Sequence, residues 1–394
     1  MNKSIKVLWF IAIILFIFLL CIDFDNQSFV FFNSTNSFAS DFFNVCRYIC
    51  DRNPYNNELD GFQEKIYPPI AYMLMYPYTL VFDYHNQTFA TCAQNMVCVL
   101  SFLSFTFFCS VLWIISSIKI LRKYKVHNVY LTIFLGCVSC VFLYSIERGN
   151  YIILSAALCN FFIAYYDSPS KKSIALFCLA LSSGLKVYPV ILSLLLIRNK
   201  DYKSFFLLAA ITSVIVFLPF FFFVGGVDNI PLLIRNVTMQ SSHYGALVSE
   251  YKVGLFSLFT FVSYLLSIDL SSIANLINIS IAGLSLCLAL IIKDDKYSIL
   301  LLLLLIALFP KQAWMYNLMY ILPFVFIIAN SNRKSLLLFI LLFIILQPFQ
   351  IVIKGHSLSY LLSNICVLML WGYAILYSIK QCTNYYSRTN SVQN

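Results

Sequence analysis

Charged residues are scarce in this sequence of 394 residues: Asp, Glu, Lys and Arg together make up 11%, against 61% apolar residues. Soluble domains carry about 25% charged residues, so the composition excludes an ordinary soluble enzyme and a disordered chain. Most of the 13 cysteines lie inside apolar runs, where a free thiol behaves as a small hydrophobic side chain. A disulfide scaffold is therefore excluded as well, and the chain is predicted to be a polytopic membrane protein.

The common catalytic and metal-binding motifs are also missing from the sequence. It contains no phosphate loop, no Ser-His-Asp order and no HExxH pattern. Cys46 and Cys50 could share a helix face, but no paired histidines accompany them. We therefore predict no metal-binding residues and no required cofactor, and the sequence leaves the role of a divalent metal open.

Apolar runs and the distribution of Lys and Arg predict the topology. An apolar run over residues 7–22 has no cleavage site after it, which indicates a retained N-terminal anchor. The later runs predict about ten full spans, with both termini in the cytoplasm because basic residues stay inside. Residues 67–83 are predicted to be interfacial or re-entrant. Residues 173–197 are predicted to form a hairpin of two short helices broken at 184–189, since basic clusters flank both ends.

The fold class that follows is an all-α membrane protein with a single integral domain over residues 1–394. Its predicted parts are an outer loop with amphipathic helices at 23–94, core spans with the hairpin at 95–224, a second outer loop at 225–270 and C-terminal spans at 271–394. Loops on the cytoplasmic side are short, so we expect any chemistry on the outer face. Residue usage rich in Ile, Leu, Phe, Asn and Lys favours a bacterial inner membrane.

The first outer loop carries the candidate base. Ser40 is predicted to cap a helix in which Asp41, Asn44, Tyr48 and Asp51 fall on one polar face. An acid in the first turn is favoured as the anion by the helix dipole, which suits Asp41 to general-base catalysis. The alternative is that Asp41 only caps the helix.

Two basic residues on the outer face are candidates for binding an anion. Arg148 stands in a short turn, and Asn150 follows at a helix start, where free N–H groups favour an anion. Lys186 lies in an apolar stretch, and an ionisable group at membrane depth indicates a functional site. The alternatives are a structural pair of Glu147 with Arg148, and a Lys186 that extends to the interface.

Weaker candidates for contact with a polar ligand lie in two later outer segments. Gln240 and His243 belong to the second outer loop, and Lys311 and Trp314 belong to a turn near residue 311. A lone loop histidine is more often solvated, and Trp at this level is more often part of an interfacial aromatic belt.

Several short motifs occur in order along the chain: Ser40-Asp41-Phe42, Asn53-Pro54-Tyr55, Tyr67-Pro68-Pro69, Arg148-Gly149-Asn150, Gly184-Leu185-Lys186-Val187-Tyr188-Pro189 and Phe309-Pro310-Lys311-Gln312-Ala313-Trp314. Over residues 5–330 this series resembles the GT-C superfamily of polyprenyl-phosphate-sugar-dependent glycosyltransferases, in particular the mannosyltransferase-like glycosyltransferase family 87. Phe309 departs from the family pattern, which has Ser there, and the histidine that many members have after the Trp is missing.

The resemblance implies an inverting glycosyltransferase with a GT-C fold. It would move a hexose, possibly mannose, from a polyprenyl-phosphate donor to a lipid-linked or surface glycan on the outer face. Asp41 matches the family's general base, and Arg148 and Lys186 match its phosphate-binding residues. Asn150 is placed with these two, and Asp51, Tyr55 and Tyr188 are assigned to substrate binding with the weaker candidates. The implied partners are the donor, the acceptor glycan and membrane lipids, with no nucleic acid.

Three other functions remain open at this point: an O-antigen-type polymerase, a lipid-linked oligosaccharide flippase or transporter, and a membrane scaffold. A transporter should show inverted repeats and several charges within its spans, and the sequence shows no repeat and only Lys186 at depth. Polymerases of this type tend to have arginine-rich outer loops, whereas the predicted outer side here has only four arginines, at positions 47, 52, 148 and 235.

Overall fold

A computed structural model describes residues 38–245, 249, 251–331, 336–345, 352–353 and 356–393, together with the isolated positions Phe10 and Ile14. The predicted N-terminal anchor therefore lies outside the described residues, apart from those two positions. The described chain is predominantly helical, and its only strands are the two-residue pair β1 (Val352–Ile353) and β2 (His356–Ser357).

Helices dominate each segment that the hydropathy pattern marked as apolar. They are α1 (Ser40–Ile49), α2 (Pro69–Thr79), α3 (Phe89–Gln94), α4 (Met96–Lys123), α5 (Val129–Cys137), α6 (Cys140–Arg148), α7 (Ile152–Tyr165), α8 (Lys172–Leu185), α9 (Leu194–Arg198), α10 (Tyr202–Phe217), α11 (Asn229–Gly245), α12 (Leu255–Leu266), α13 (Ser271–Ile291), α14 (Asp295–Leu308), α15 (Leu322–Ser331), α16 (Leu336–Ile345) and α17 (Leu358–Gln393). Short 3-10 turns cover Phe62–Glu64, Tyr188–Ser193, Leu218–Phe222, Gly226–Asp228 and Met315–Tyr320.

Four described helical segments are long and apolar enough to cross a membrane, so the chain is an integral membrane protein. They are Met96–Lys123, Tyr202–Phe222, Ser271–Ile291 and Tyr360–Thr383, and α5 with α6, bent by 53°, form a fifth candidate. The prediction of about ten full spans is not confirmed. Several apolar runs form shorter helices instead: the 14 residues of α7, for example, extend only about 21 Å at 1.5 Å per residue.

The predicted hairpin at residues 173–197 is confirmed in its break and its return. Helix α8 ends at Leu185, and Lys186 takes an extended backbone with φ −142° and ψ 122° before the 3-10 turn and α9. Lys172, at the start of α8, lies 2.6 Å (Nζ to Oδ2) from Asp201, just after α9. Because this ion pair joins the two ends, the chain returns to the side from which it came.

Charged and tyrosine side chains at several of the predicted cytoplasmic loops meet at one end of the helix bundle. Asp295 accepts hydrogen bonds from Arg198 at 2.8 Å, Tyr166 at 2.8 Å and Tyr124 at 3.1 Å. Tyr166 follows the C-terminal end of α7, whereas Asn150 precedes its other end. The bundle therefore has two polar ends, separated by roughly the 21 Å length of α7.

The segment predicted as the second outer loop, residues 225–270, is largely helical, and its place on the outer side stays a prediction. It contains α11 and α12, and the 12-residue α12 is apolar but too short to give a span-length hydropathy signal. Residues 67–83 contain only the 11-residue α2, which is too short to cross a bilayer, so their interfacial placement stays a prediction.

Gly254 occupies a tightly constrained position between α12 and the segment around residue 313. Its backbone has φ 100° and ψ 170°, a region that is essentially restricted to glycine. A Cβ there would lie 2.4 Å from the carbonyl oxygen of Leu308. Next to it, the Val253 N–H donates to the carbonyl of Ala313 at 2.8 Å, and the Met315 N–H donates to the carbonyl of Tyr251 at 2.8 Å. The segments 251–253 and 313–315 are therefore paired through their backbones.

Replacing Gly254 with alanine should therefore destabilise the protein by about 1–3 kcal/mol, through backbone strain and the clash with Leu308. Thermal unfolding of the purified protein in detergent measures this as a lower Tm. The control is Gly283→Ala within α13, where an added Cβ meets nothing within 4 Å and alanine is the better helix former. Equal Tm values for the two variants would contradict the assignment of strain to Gly254.

Candidate active site

A polar cavity of about 320 Å³ opens at the end of the bundle that carries Asn150. Its wall combines residues from α1, from the loop at 64–67, from the end of α6, from the hairpin break at 186–188, from the C-terminal half of α11 and from the turn at 312–317. Segments far apart in the sequence thus contribute to one site. Charged groups of both signs line it: Asp41 and Glu64, and Arg148 and Lys186.

The Asp41 carboxylate is held by two side chains from the turn between α6 and α7. Arg148 Nη2 donates to Asp41 Oδ1 at 2.6 Å, and Asn150 Nδ2 donates to Asp41 Oδ2 at 2.6 Å. Each carboxylate oxygen has two lone pairs, so each retains acceptor capacity after these bonds. The carboxylate is therefore fixed in orientation while still able to accept a further proton donor.

Close contact between the two chain segments brings these residues together. Ala39 donates its N–H to the carbonyl of Glu147 at 2.6 Å, immediately before α1 begins. Gly149 has φ +64°, and a Cβ there would lie 2.8 Å from Cβ of Phe42. The predicted N-cap is corrected: the helix begins at Ser40 itself, after Ala39 in the left-handed region, and no side-chain cap bond is made. The close approach of the two segments explains the missing cap bond, because the Ala39 backbone before the helix is held by its hydrogen bond to the carbonyl of Glu147.

Asn150 is oriented by the helix that follows it. Its Oδ1 accepts the N–H of Ile152 at 3.0 Å, at the start of α7, where backbone donors lack helical partners. The amide nitrogen must then face the opposite way, where it donates to Asp41 and, at 3.2 Å, to the hydroxyl of Tyr67. Asn150 is 1% exposed, so this arrangement is enclosed by protein.

Lys186 reaches the cavity from the hairpin break. Its Nζ lies 4.6 Å from the centre of the Tyr67 ring, within the range of a cation–π contact. Burial lowers the pKa of Lys186 to about 8, and the nearby Asp41 acts in the opposite direction. Burial also raises the pKa of Tyr67 well above its usual value.

Aromatic and amide side chains complete the wall. The Tyr144 ring stacks against Tyr316 with centroids 5.8 Å apart and planes at 21°. Gln312 Nε2 donates to the carbonyl of Gln240 at 2.7 Å. Sequence reasoning did not assign Tyr144, Tyr316 or Gln312 to the site. The sequence offers only a weak indication that these residues belong to the site. Gln312 and Tyr316 flank Trp314 of the late motif, whereas Tyr144 lies inside an apolar run.

The sequence-predicted residues divide into two groups. The cavity brings together Asp41, Arg148, Lys186, Tyr188, Gln240 and Trp314, and Asn150 contacts Asp41 from behind. On the polar face predicted for α1, Asn44 and Tyr48 also line the cavity.

Four predicted substrate-binding residues do not line this cavity, so their contact with substrate stays a prediction. Asp51 follows the end of α1, is exposed and accepts the N–H of Asn53 at 2.8 Å. Tyr55 is fully buried and donates to the carbonyl of Tyr67, so it supports the wall from behind. His243 is exposed with its ring against Tyr244. Lys311 is exposed and lies over Phe256, because the chain alternates sides between it and Gln312.

A model of glycosyltransferase family 87 matches residues 66–317, which is more than half of the chain. The protein belongs to glycosyltransferase family 87. As a family 87 member it is a membrane-bound glycosyltransferase, consistent with the GT-C superfamily. No curated protein matches the chain. The matched region contains Arg148, Asn150 and Lys186, while Asp41 precedes it. Within the described residues, no group of three or more His, Cys, Asp and Glu side chains comes together to hold a metal ion.

Asn150 can be tested through a substitution that keeps its helix contact. In Asn150→Asp, one oxygen still accepts the Ile152 N–H, but the other faces Asp41 as a like charge. Sugar transfer should fall by roughly tenfold to a hundredfold, because the Asp41 carboxylate is displaced. Tyr67→Phe removes only the hydroxyl that accepts a second hydrogen bond from the Asn150 amide. It should therefore change the transfer rate by less than about threefold. Initial transfer rates and Tm of both variants check this, and equal rates would refute the role given to the amide.

Proposed function

We propose that this family 87 enzyme is an inverting hexosyltransferase that moves a hexose such as mannose from a polyprenyl phosphate to a lipid-linked or surface glycan on the outer face of a bacterial inner membrane. The observation that carries the proposal is the oriented Asp41 carboxylate in the same cavity as Lys186. A base and a phosphate-binding cation facing one space are the two elements that such a transfer requires.

In this proposal Asp41 is the general base. The acceptor hydroxyl donates to a remaining lone pair of Asp41 and its oxygen attacks the anomeric carbon of the donor sugar. The bond from that carbon to the phosphate oxygen breaks, the proton passes to Asp41, and the polyprenyl phosphate leaves with the bonding electrons. Attack from the face opposite the leaving group inverts the anomeric configuration.

Lys186 and Arg148 bind the donor phosphate. Arg148 uses Nη2 on Asp41, and its Nε is buried without a hydrogen-bond partner among the described residues. An unpaired buried donor costs about 1–3 kcal/mol, so a phosphate oxygen at this point would remove a penalty that the free protein carries. The two cations stabilise charge as it develops on the departing phosphate. Asn150, predicted from the sequence to share this role, is proposed instead to orient Asp41.

Apolar surface beside Lys186 suits a lipid-linked donor. Val187 is 63% exposed, Tyr188 45% and Val190 42%, all directly after the lysine in the hairpin break. A polyprenyl chain could pack against these side chains while its phosphate meets the Lys186 ammonium. The support for a lipid donor is this adjacency of a cation and exposed apolar residues at the break of an apolar hairpin.

Asp41→Asn should lower sugar transfer by at least about 100-fold, because the amide cannot accept the proton, while its size leaves the Arg148 contact possible. The assay uses the purified protein with a panel of polyprenyl-phosphate sugars. Asp51→Asn is the matched control, since Asp51 lies at the exposed end of the same loop helix. Near-normal transfer by Asp41→Asn would eliminate Asp41 as the base, and no transfer by the wild type from any donor would contradict the proposed reaction.

The pH dependence tests Lys186. With a pKa of about 8, the ammonium is present below pH 8 and is lost as the pH rises further. Since kcat/KM reports groups of the free enzyme, kcat/KM for the donor should fall about tenfold per pH unit above pH 8. Lys186→Arg keeps the charge and should remove this alkaline fall, whereas Lys186→Gln should be poor at every pH. An unchanged alkaline fall in Lys186→Arg would assign the titration to another group.

A further inference from the structure

A second depression lies directly beside the cavity, behind the turn at 309–315. We call it the hydroxyl groove; it has a volume of about 650 Å³. Apolar atoms form the larger part of its surface, and seven of its eleven lining residues also carry a hydroxyl or amide group: Ser241, Thr260, Ser263, Tyr264, Ser267, Ser271 and Asn275. It lies between the C-terminal end of α11, helix α12 and the start of α13. None of its lining residues has a role in the proposed reaction.

The wall between the cavity and the hydroxyl groove includes two pairs of consecutive residues. Gln240 lines the cavity and Ser241 the groove, and likewise Gln312 lines the cavity and Lys311 the groove. At two places, then, consecutive residues face opposite spaces. A molecule that extends out of the cavity past this wall would enter the groove.

Backbone contacts hold this wall in place. Asn278 Nδ2 of α13 donates to the carbonyl of Phe309 at 3.0 Å on the groove side. Gln312 Nε2 donates to the carbonyl of Gln240 at 2.7 Å, which joins the two parts of the wall. The Val253 N–H also donates to the carbonyl of Ala313, next to Gln312, at 2.8 Å. The relative position of the two spaces is therefore fixed by the fold.

The groove combines apolar surface with hydrogen-bonding groups, a mixture that suits a saccharide. Hydroxyl and amide groups can both donate and accept hydrogen bonds, as sugar hydroxyls do. Phe256 and Tyr264 add aromatic surface, and the charged side chains Asp269 and Lys311 are of opposite sign, so the lining has no net formal charge. The volume falls in the range of roughly 300–1,000 Å³ that is typical of ligand sites.

From these observations we infer that the hydroxyl groove binds a second part of the acceptor, a neutral oligosaccharide whose reacting sugar lies in the cavity. The inference rests on the proposed function, and it adds that the acceptor is a glycan of two or more sugars. The groove and the cavity lie on either side of the Gln240–Ser241 and Lys311–Gln312 pairs, and the inference requires that one glycan pass this wall to contact both.

Binding without turnover tests the inference independently of the reaction. The probes are three neutral trisaccharides built from mannose, glucose and galactose, the three monosaccharides, and glycerol phosphate. The full chain in nanodiscs is studied by saturation-transfer NMR. At least one trisaccharide should bind about tenfold more tightly than its monosaccharide. If no trisaccharide does so, or if glycerol phosphate alone binds, the groove is not a saccharide site.

Two neighbouring tryptophan substitutions locate the binding. Asn275→Trp fills the groove and should reduce trisaccharide affinity to that of the monosaccharide. Leu276→Trp, at the next position of α13 where the side chain is 68% exposed and outside the groove, should leave it unchanged. Asn275→Ala, which adds no bulk, should weaken the trisaccharide by a smaller factor and guards against misfolding of the larger variant. Equal effects of the two tryptophans would overturn the inference.

Transfer assays separate this inference from the proposed function. Asn275→Trp should raise KM for a dodecyl trisaccharide acceptor about tenfold, with kcat for the dodecyl monosaccharide unchanged. If the wild type transfers sugar to neither acceptor, the proposed reaction is contradicted. The inference about the groove is not, because the NMR measurement does not depend on turnover. An unchanged KM ratio in Asn275→Trp would contradict the groove alone.

Discussion

The contact between the start of α1 and the turn at 147–150 is the constraint on which the rest of the site depends. Ala39 is bonded to Glu147, and Gly149 allows Phe42 to approach closely, so Asp41 meets both Arg148 and Asn150. A carboxylate with one donor on each oxygen has little freedom to rotate. The other walls of the cavity can vary in shape, but without this contact there is no oriented acid for them to surround.

The site combines a rigid acid with a cation that can change its charge. Asp41 is fixed by donors from a helix boundary, whereas Lys186 stands at a break in a short hairpin, over the ring of Tyr67. Burial lowers the pKa of Lys186 to about 8, which means that its charge is costly in the free protein. A bound phosphate would stabilise the ammonium and raise this pKa, so phosphate binding and protonation of Lys186 favour each other.

The bundle separates two polar ends by short helices. At one end Asp295 accepts hydrogen bonds from Arg198, Tyr124 and Tyr166. Asp41 lies at the other end, close to the start of α7. The first cluster joins loops that the distribution of basic residues had placed together, whereas the second joins segments with no common sequence signature. Pairing buried or half-buried charges in this way satisfies them at both ends, while the apolar faces between pack against one another.

The sequence by itself determined the membrane class and the broken hairpin at 173–197, and it singled out Asp41, Arg148 and Lys186, which line one cavity, because hydropathy, charge and the Gly-Pro break act locally along the chain. Only the tertiary structure decided that Asn150 contacts Asp41, that Tyr144 and Tyr316 form a wall, and that Asp51, Tyr55, His243 and Lys311 lie elsewhere. The side on which a residue emerges from a turn, as Lys311 and Gln312 show, depends on backbone pairing between distant segments, and no local pattern encodes it.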